Sequence, residues 1–437
     1  MKKFVLLFFF NIYFFIAIII SFFLIKYPTT VSSTLFENQI KQFTQAESIK
    51  VVYLYLIWLI LVIFFFFIFQ HLIKKIKIKD CKIKISKNKF FALFIISIIL
   101  SIAESFIYLK NLDFILQIGR ILTFFFFFYF LSFKNSNKLI LSICIIVNLI
   151  IPLYYGLVAR NIPYYIVIIY FIYINENKII KKFLKIFYVI IFFIFAVLIQ
   201  PYLKVKMHNN SNCFKIIVIE LDIFSKEFIK ISKKKCINYA SNYFQEMNFL
   251  STGYTQTIFN NSAIPSLERL ILRTEEITNS TAMIYMIDQE YKPLLKGETY
   301  KNFNTMFLPR FFFKNKEIEN IGIYPECYFG LYQEYKEDFA SCLSKPGTKT
   351  SINLNVITEA YINFKYYGLI FCSLLFSGLL CIVEKLNKKS DKILKAMGIN
   401  LFAQIISYYG NLTLVIGSIL VNFIPIAVLL LLINEKK

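Results

Sequence analysis

The stretch VVYLYLIWLILVIFFFFIFQHLI, residues 51–73, decides the class of this fold. It contains no Asp, Glu, Lys or Arg, and it exceeds the roughly 20 apolar residues that a helix needs to cross a bilayer. Nine further stretches of the chain have the same character. The ten predicted spans are 4–25, 51–73, 90–109, 114–133, 139–157, 158–175, 186–203, 361–383, 396–411 and 413–433.

The composition of the whole chain agrees with a membrane protein. Of the 437 residues, 58% are hydrophobic and 19% are aromatic, which is more apolar surface than a soluble core could bury. The first span follows MKK, but its apolar run is too long for a signal peptide and no small-residue cleavage site follows it. The sequence therefore predicts an all-α polytopic protein whose first span is retained as an anchor.

The net charge of +23 is concentrated in a few short segments. If the chain crosses the membrane at each of the ten predicted spans, all of these segments lie on the same side of the membrane. By the positive-inside rule that side is the cytoplasm. By contrast, the long segment 203–353 carries 19 basic and 16 acidic residues and is predicted to lie outside. The basic segments are 74–89, 134–138, 177–185, 384–395 and both termini. The charge thus encodes topology, with both termini cytoplasmic, and indicates no nucleic-acid partner.

The predicted organisation has three parts. Residues 1–203 form an N-terminal membrane bundle of seven spans, residues 204–355 form a large, mainly helical external domain, and residues 356–437 form three closing spans. Within the external domain, apolar residues among lysines in 213–235 favour a helix at the membrane interface. A second helix is predicted from near Ser262 or Pro265 to about Asp288.

The eight cysteines divide equally between the two compartments. Those of the spans and cytoplasmic loops are small packing residues: Cys81, Cys144, Cys372 and Cys381. Those of the external segment either form two disulfides or remain free thiols: Cys213, Cys236, Cys327 and Cys342. The sequence contains no Cys/His cluster with metal-ligand spacing, so no metal site is predicted.

Arginine is scarce in this chain, with five residues among the 49 basic ones, and two of the five stand four residues apart in SLERLILRTEEI, 266–277. On a helix, Arg269, Arg273 and Glu276 share one face, and the two arginines repel each other there. Acidic residues elsewhere in the domain could balance them. Alternatively, the pair holds a phosphate or diphosphate, for which the planar guanidinium is the better donor.

The remaining arginines lie outside or within the membrane. Arg310 closes FLPR in the external segment, and Arg160 lies near the outer ends of the fifth and sixth spans. Arg120 is inside a span, where a charge is costly without a partner, and Glu104 in the preceding span is the predicted partner. No arginine falls in the basic cytoplasmic loops.

A second informative stretch, NVITEAYINFKYYGLIF, lies at the external entry of the eighth span, 355–371. Glu359 there is either an anion favoured by the start of a helix, or a general base or orienting group for a sugar hydroxyl. Tyr361 is either an interface anchor or a sugar contact, and Asn363 follows it. The chain lacks GxSxG, Walker and HExxH motifs and paired Asp residues of the DxD type, which argues against proteolysis, ATP hydrolysis and nucleotide-sugar transfer.

At these residues the chain resembles the bacterial O-antigen polymerases, also called Wzy-type oligosaccharide repeat-unit polymerases. The likeness lies in the layout of spans with one large late external loop and in two stretches. These are KGETYKNFNTMFLPRFFFKNK, 296–316, with its glycine and PR followed by a basic residue, and TEAYINFKYYGLIF, 358–371. One departure is that Lys365 stands where the family pattern has Gly after NF, with Gly368 following.

The resemblance implies glycosyl transfer on the periplasmic face of the bacterial inner membrane. A glycan on undecaprenyl diphosphate would move to an incoming lipid-linked repeat unit, without metal or other cofactor. Arg269, Arg273, Arg310 and Arg160 would grip the diphosphate, Glu276 would orient the arginines and Glu359 would activate the acceptor hydroxyl. Tyr361 and Asn363 would contact substrate. The implied partners are membrane lipid, a chain-length regulator and a flippase.

Three alternatives remain open from the sequence. An O-antigen ligase has a similar layout but is expected to carry a functional His in the external loop, where only His208 is available. A lipid-linked oligosaccharide flippase would have short loops throughout, unlike this chain. A membrane sensor or structural anchor is the third alternative.

Overall fold

A computed structural model of the chain describes more than half of its residues. The described residues are 10, 29–32, 40–43, 45–74, 86–104, 107–110, 113–131, 138–150, 165, 168–170, 172–173, 178, 180–192, 217–222, 225–231, 277–301, 324, 328–329, 354–388, 391–407 and 412–433. They are mostly helical. Within them, three helical stretches are long and apolar enough to cross a membrane: Ser48–Leu72, Val356–Asn387 and Val415–Leu432. This confirms the membrane character, and the count of ten spans stays a prediction.

The helices and strands are as follows. The helices are α1 (Gln45–Lys74), α2 (Lys87–Glu104), α3 (Asp113–Leu131), α4 (Lys138–Ile145, continued by the π-turn Ile146–Ile150), α5 (Ile277–Asp288), α6 (Val356–Asn387), α7 (Lys392–Ser407) and α8 (Leu412–Ile433). Residues 180–192 are also helical. The strands are β1 (Thr29–Ser32), β2 (Ile40–Phe43), β3 (Ile107–Lys110), β4 (Ile217–Asp222) and β5 (Ser225–Ile231).

The strands correct the prediction for the external segment. Strands β4 and β5 form an antiparallel pair, and β4 also pairs in parallel with β3. The interfacial helix predicted over 213–235 is therefore wrong for residues 217–231. The physical reason lies in IVIELD, where three β-branched residues are followed by alternating apolar and acidic residues, and both features favour strand over helix. The all-α class holds for most, but not all, of the described chain.

The second predicted helix of the external segment is present as α5. It ends at Asp288, as predicted, and its described part begins at Ile277. The predicted start near Ser262 or Pro265, and with it SLERLILR, lies outside the described residues.

Helices α1 and α6 pack side by side and run in the same direction. Three small side chains of α6 hydrogen-bond to backbone carbonyls of α1, each across a sequence separation of 315 residues. The pairs are Ser373 with Trp58, Ser377 with Val62, and Cys381 with Phe66, at 3.5, 2.8 and 3.3 Å. Small residues allow two helices to approach closely in a membrane, where hydrogen bonds add to van der Waals packing. Because the bonded residues are separated by the same number of positions in all three pairs, the two helices run in the same direction. The predicted membrane topology also gives these two spans the same direction.

Helices α2 and α3 form an antiparallel pair in the same bundle. The Thr123 hydroxyl donates to the Ser97 carbonyl at 3.1 Å, and Arg120 Nη1 donates to Glu104 Oε1 at 2.6 Å. The predicted partner of Arg120 is thus confirmed. The phenylalanine run of α3 packs inside the bundle, with Phe125 and Phe128 fully buried. Cys144, Cys372 and Cys381 are free and buried, as the packing interpretation predicts.

Helix α6 contains a sharp corner eight residues after it begins. Phe364 and Lys365 leave the helical conformation, and Lys365 has φ +49° and ψ −132°. The chain turns back so far that a Cβ atom on Gly368 would lie 2.1 Å from the carbonyl oxygen of Ala360. Only glycine permits this contact. The segment 356–363 is therefore a short helix that packs against the start of the longer helix that follows it.

Candidate functional site

The short helix 356–363 is fixed at its beginning by a buried polar cluster. Asn355 is its N-cap, and its side-chain oxygen accepts a hydrogen bond from the Thr358 backbone N–H at 2.8 Å. The Asn355 amide nitrogen and the Thr358 hydroxyl both bond to the Ser280 hydroxyl of α5, at 3.0 and 2.7 Å. These contacts join α5 to the start of α6.

Glu359 lies in the first turn of this helix with none of its surface exposed. Its Oε2 accepts a hydrogen bond from the backbone N–H of Leu412, the first residue of α8, at 2.6 Å. Complete burial disfavours the ionised form of this carboxyl group, and the partial positive charge of the first N–H groups of α8 offsets part of that cost. The Thr299 hydroxyl also lies beside the carboxylate. The second oxygen, Oε1, is buried without a hydrogen bond of ordinary geometry.

Asn363, also fully buried, joins the short helix to the loop at 295–300. Its Oδ1 accepts from the Gly297 N–H at 2.8 Å, and its Nδ2 donates to the Thr299 hydroxyl at 2.9 Å. Nδ2 also donates to the Glu359 carbonyl at 2.8 Å. One residue earlier, the Ile362 carbonyl accepts from the Leu295 N–H at 3.1 Å. The loop therefore satisfies the polar groups that the corner after residue 363 leaves open.

Gly297 and Tyr300 complete the contact between the loop and the corner. Gly297 has φ +92°, a conformation that favours glycine, and lies against the Phe364 ring. The Tyr300 ring stacks on Phe364 with centroids 6.3 Å apart and an interplanar angle of 18°. Burial raises the pKa of the Tyr300 phenol, and the nearby negative charge of Glu359 raises it further. Tyr300 thus stays a hydroxyl at physiological pH.

Tyr361 contacts a second network at the edge of the site. The Tyr361 hydroxyl donates to Asp288 Oδ1 at 2.8 Å, and Asp288 Oδ2 forms an ion pair with Lys50 Nζ of α1. The ammonium group of Lys50 also lies 5.8 Å from the centre of the Tyr361 ring. Tyr361 is 1% exposed, whereas the side chains of Lys50 and Asp288 are 43% and 17% exposed. The network therefore extends from the buried cluster to the surface.

No family model matches this chain, and neither a curated protein nor a solved structure matches it. The resemblance drawn from the two sequence stretches therefore stays a prediction, and the function has to be argued from the residues and their contacts.

The predicted site residues divide into two groups. Glu359, Tyr361 and Asn363 all lie on the short helix, where they bind Leu412, Asp288 and Thr299, respectively. The predicted diphosphate-binding residues and their orienting carboxylate fall outside the described residues: Arg160, Arg269, Arg273, Arg310 and Glu276. Their convergence on the short helix stays a prediction. Within the described ranges, no group of three or more His, Cys, Asp or Glu side chains could hold a metal ion.

Sequence reasoning did not find four residues of this site. Lys50 and Asp288 enter it through contacts between distant parts of the chain, and no local motif marks them. Thr299 and Tyr300 lie in the quoted stretch 296–316, but only their contacts with Asn363 and Phe364 single them out. One signal was available for Asp288 and Lys50, because the first ends a predicted helix and the second directly precedes a predicted span.

The positive groups of this site are each matched by a partner within the chain. The first N–H group of α8 meets the Glu359 carboxyl, Asn355 caps the start of α6, and Lys50 in the second turn of α1 is paired with Asp288. The Thr299 hydroxyl and the Tyr300 ring lie near the buried Glu359 carboxyl. The arrangement therefore places one buried carboxyl group where the start of α8, the loop 295–300 and the short helix meet.

Proposed function

We propose that this chain polymerises lipid-diphosphate-linked oligosaccharide repeat units into a surface polysaccharide of the O-antigen type. In this proposal the ten predicted spans cross the bacterial inner membrane, both termini are cytoplasmic and residues 204–355 face the periplasm. The donor is a glycan on undecaprenyl diphosphate, the acceptor is the terminal sugar of an incoming repeat unit, and the enzyme is a metal-independent glycosyltransferase.

One observation carries the proposal: the two stretches on which the resemblance rests contact each other directly. The described part of the first stretch, 296–301, meets 358–371 where Asn363 binds Gly297 and Thr299, across 66 and 64 residues of sequence. The contact includes the stacking of Tyr300 on Phe364. If the two short motifs belong to one functional site, we expect parts of them to meet in a buried polar cluster. The cluster also lies at the outer end of the spans in the predicted topology.

The chemistry of the proposed reaction fits the residue types of the two stretches. The acceptor hydroxyl attacks the anomeric carbon of the donor, the bond from that carbon to the diphosphate oxygen breaks, and the lipid diphosphate leaves with the electron pair. Arg269, Arg273, Arg310 and Arg160 stabilise the charge of the leaving group, with Glu276 orienting the arginines. Glu359 takes the proton of the acceptor hydroxyl.

The proposed role of Glu359 places a condition on substrate binding. The carboxylate is fully buried, and Oε2 is held by the Leu412 N–H, so Oε1 is the oxygen left to accept the proton. The acceptor hydroxyl must therefore reach Oε1 through a movement of the loop 295–300 or of the external segment. Asn363 holds the short helix against that loop, and Tyr361 holds it against Asp288 at the end of α5, so the two residues together set the position of Glu359.

A second candidate function is transport of a lipid-linked oligosaccharide. The observation that favours it is the interrupted helix α6, because secondary transporters commonly build substrate sites from broken helices and buried charged groups. A predicted 150-residue external segment is unusual for that class, so polymerisation remains the proposed function.

Deletion of the gene separates the candidate functions. Loss of a polymerase leaves a core that carries a single repeat unit on a gel of surface glycans, loss of a ligase leaves no attached glycan, and loss of a flippase leaves a lipid-linked intermediate on the inner face. Complementation with Arg273→Lys should fail to restore long chains, because lysine cannot reproduce bidentate phosphate binding. Glu290→Gln, which changes a residue outside the proposed roles, is the control and should restore them.

A further inference from the structure

Aromatic side chains are exposed on the surface beside the corner of α6. Tyr366 is 51% exposed and Tyr367 is 82% exposed. Phe364 and Phe371, before and after them, are 41% and 58% exposed. These four rings lie within eight residues of chain, directly after the short helix that carries Glu359. The corner thus presents a group of ring surfaces at the edge of the proposed site.

One of these rings is held by polar contacts as well as packing. Tyr366 lies edge-on to Tyr361, with centroids 5.6 Å apart and an interplanar angle of 88°, and their hydroxyl groups are neighbours. The hydroxyl of Tyr361 donates to Asp288, which is paired with Lys50. A half-exposed ring, a carboxylate and an ammonium group therefore occur together, and both charged side chains are partly exposed.

This combination matches the surface of a pyranose ring. A sugar has an apolar face of C–H groups that packs on an aromatic ring and a rim of hydroxyl groups that donate to carboxylates and accept from cations. A lipid chain makes use of the rings alone, since it has no hydrogen-bonding groups. The charged pair beside Tyr366 therefore favours a glycan as the occupant.

We propose that Tyr366 and Tyr367 form a platform for a pyranose ring of the lipid-linked glycan, with Asp288 and Lys50 binding hydroxyl groups at its rim. The inference rests on the proposed function, since it assigns the glycan-binding part of the same site. The platform lies seven and eight residues beyond Glu359, on the far side of the corner at Phe364 and Lys365. It holds the sugar beside the short helix that carries the proposed general base. The competing occupant is the lipid headgroup layer, in which exposed tyrosines act as anchors.

Saturation-transfer NMR on the purified full-length protein in detergent tests the platform without requiring catalysis. The probes are the methyl glycosides of glucose, galactose, N-acetylglucosamine and rhamnose. We expect at least one to receive saturation, strongest on the C–H protons of one ring face. Tyr366→Ala and Tyr367→Ala should each lower that signal about three- to tenfold, in line with the strength of ring contacts. Tyr367→Phe, which retains the ring, should keep most of it.

Tyr188→Ala is the matched control, because Tyr188 is 67% exposed on the helix 180–192 and shares no element with the platform. Its signal should equal that of the unaltered protein. The inference is overturned if none of the four glycosides receives saturation, if the Tyr188 variant loses as much signal as the platform variants, or if Tyr366→Ala and Tyr367→Ala bind normally. Glycan binding in a protein that makes no polymer would refute the proposed function and leave the platform standing.

Discussion

Replacement of Asn363 by alanine removes the contact on which the proposed site depends. The side chain makes hydrogen bonds of 2.8, 2.9 and 2.8 Å with Gly297, Thr299 and the Glu359 carbonyl, and it is fully buried. Three such bonds contribute about 1 kcal/mol each, and a Gly297 N–H left without a partner adds about 1 kcal/mol more. We therefore expect Asn363→Ala to lower the free energy of unfolding by about 3 to 5 kcal/mol.

Thermal unfolding of the purified protein in detergent measures the global effect, and amide hydrogen exchange locates it. The melting temperature should fall by several degrees, and the amides of Leu295 and Gly297 should lose protection before those of α1. Asn422→Ala is the control, because Asn422 makes a single bond to the Ser418 carbonyl of its own helix, and it should cost less than about 1 kcal/mol. Equal destabilisation by the two variants, or unchanged protection at Gly297, would refute the reasoning.

Three further predictions test the corner and the network beside it. Gly368→Ala should destabilise the protein by about 3 kcal/mol or more in the same unfolding assay, because the new Cβ atom would lie 2.1 Å from the Ala360 carbonyl oxygen. Gly378→Ala is the control and should be neutral or slightly stabilising, because no atom lies within 4 Å of the new Cβ position. Lys365→Gly should raise the stability by about 1 kcal/mol, since glycine adopts φ +49° without strain, and a loss of stability would contradict this. A double-mutant cycle with Lys50→Met and Asp288→Asn should give a coupling energy of about 1 kcal/mol. A coupling energy near zero would show that this ion pair does not stabilise the packing of α1 against α5.

The helices of the bundle could be predicted because their signal is local. Apolar runs of about 20 residues gave the positions of α1, α6 and α8, and the alternation of basic segments predicted that α1 and α6 run in the same direction. The ion pair between Arg120 and Glu104 could also be predicted, because an unpaired charge within a membrane span costs several kcal/mol of free energy and Glu104 is the acidic residue in the preceding span.

The corner of α6 and its contacts could not be predicted in the same way. The eighth span was expected to begin at 361, whereas the helix begins at Val356 and breaks at Phe364 and Lys365 without a proline. The break depends on the loop 295–300, which supplies hydrogen bonds to Ile362 and Asn363 from far away in the sequence. Lys365, noted as a departure from the family pattern, has the positive φ that glycine would adopt more readily.

Strands β4 and β5 show a different limit of sequence reasoning. The stretch 213–235 mixes apolar residues with lysines, so its pattern fits a helical period over part of its length and a two-residue period over the rest. The apolar residues at helical spacing beside lysines favour the interfacial helix. The β-branched residues of IVIELD were the better guide, and pairing with β3 gives the strand a partner that no local pattern reveals.

Reconstitution tests the central claim most directly. The purified protein in liposomes receives a lipid-diphosphate-linked repeat unit as its only substrate, and the products are separated by size and assayed for free lipid diphosphate. We expect a ladder of two or more repeat units, one lipid diphosphate released for each bond formed, and loss of both products in Arg273→Lys. Repeat units that remain single, with no lipid diphosphate released, would contradict the account.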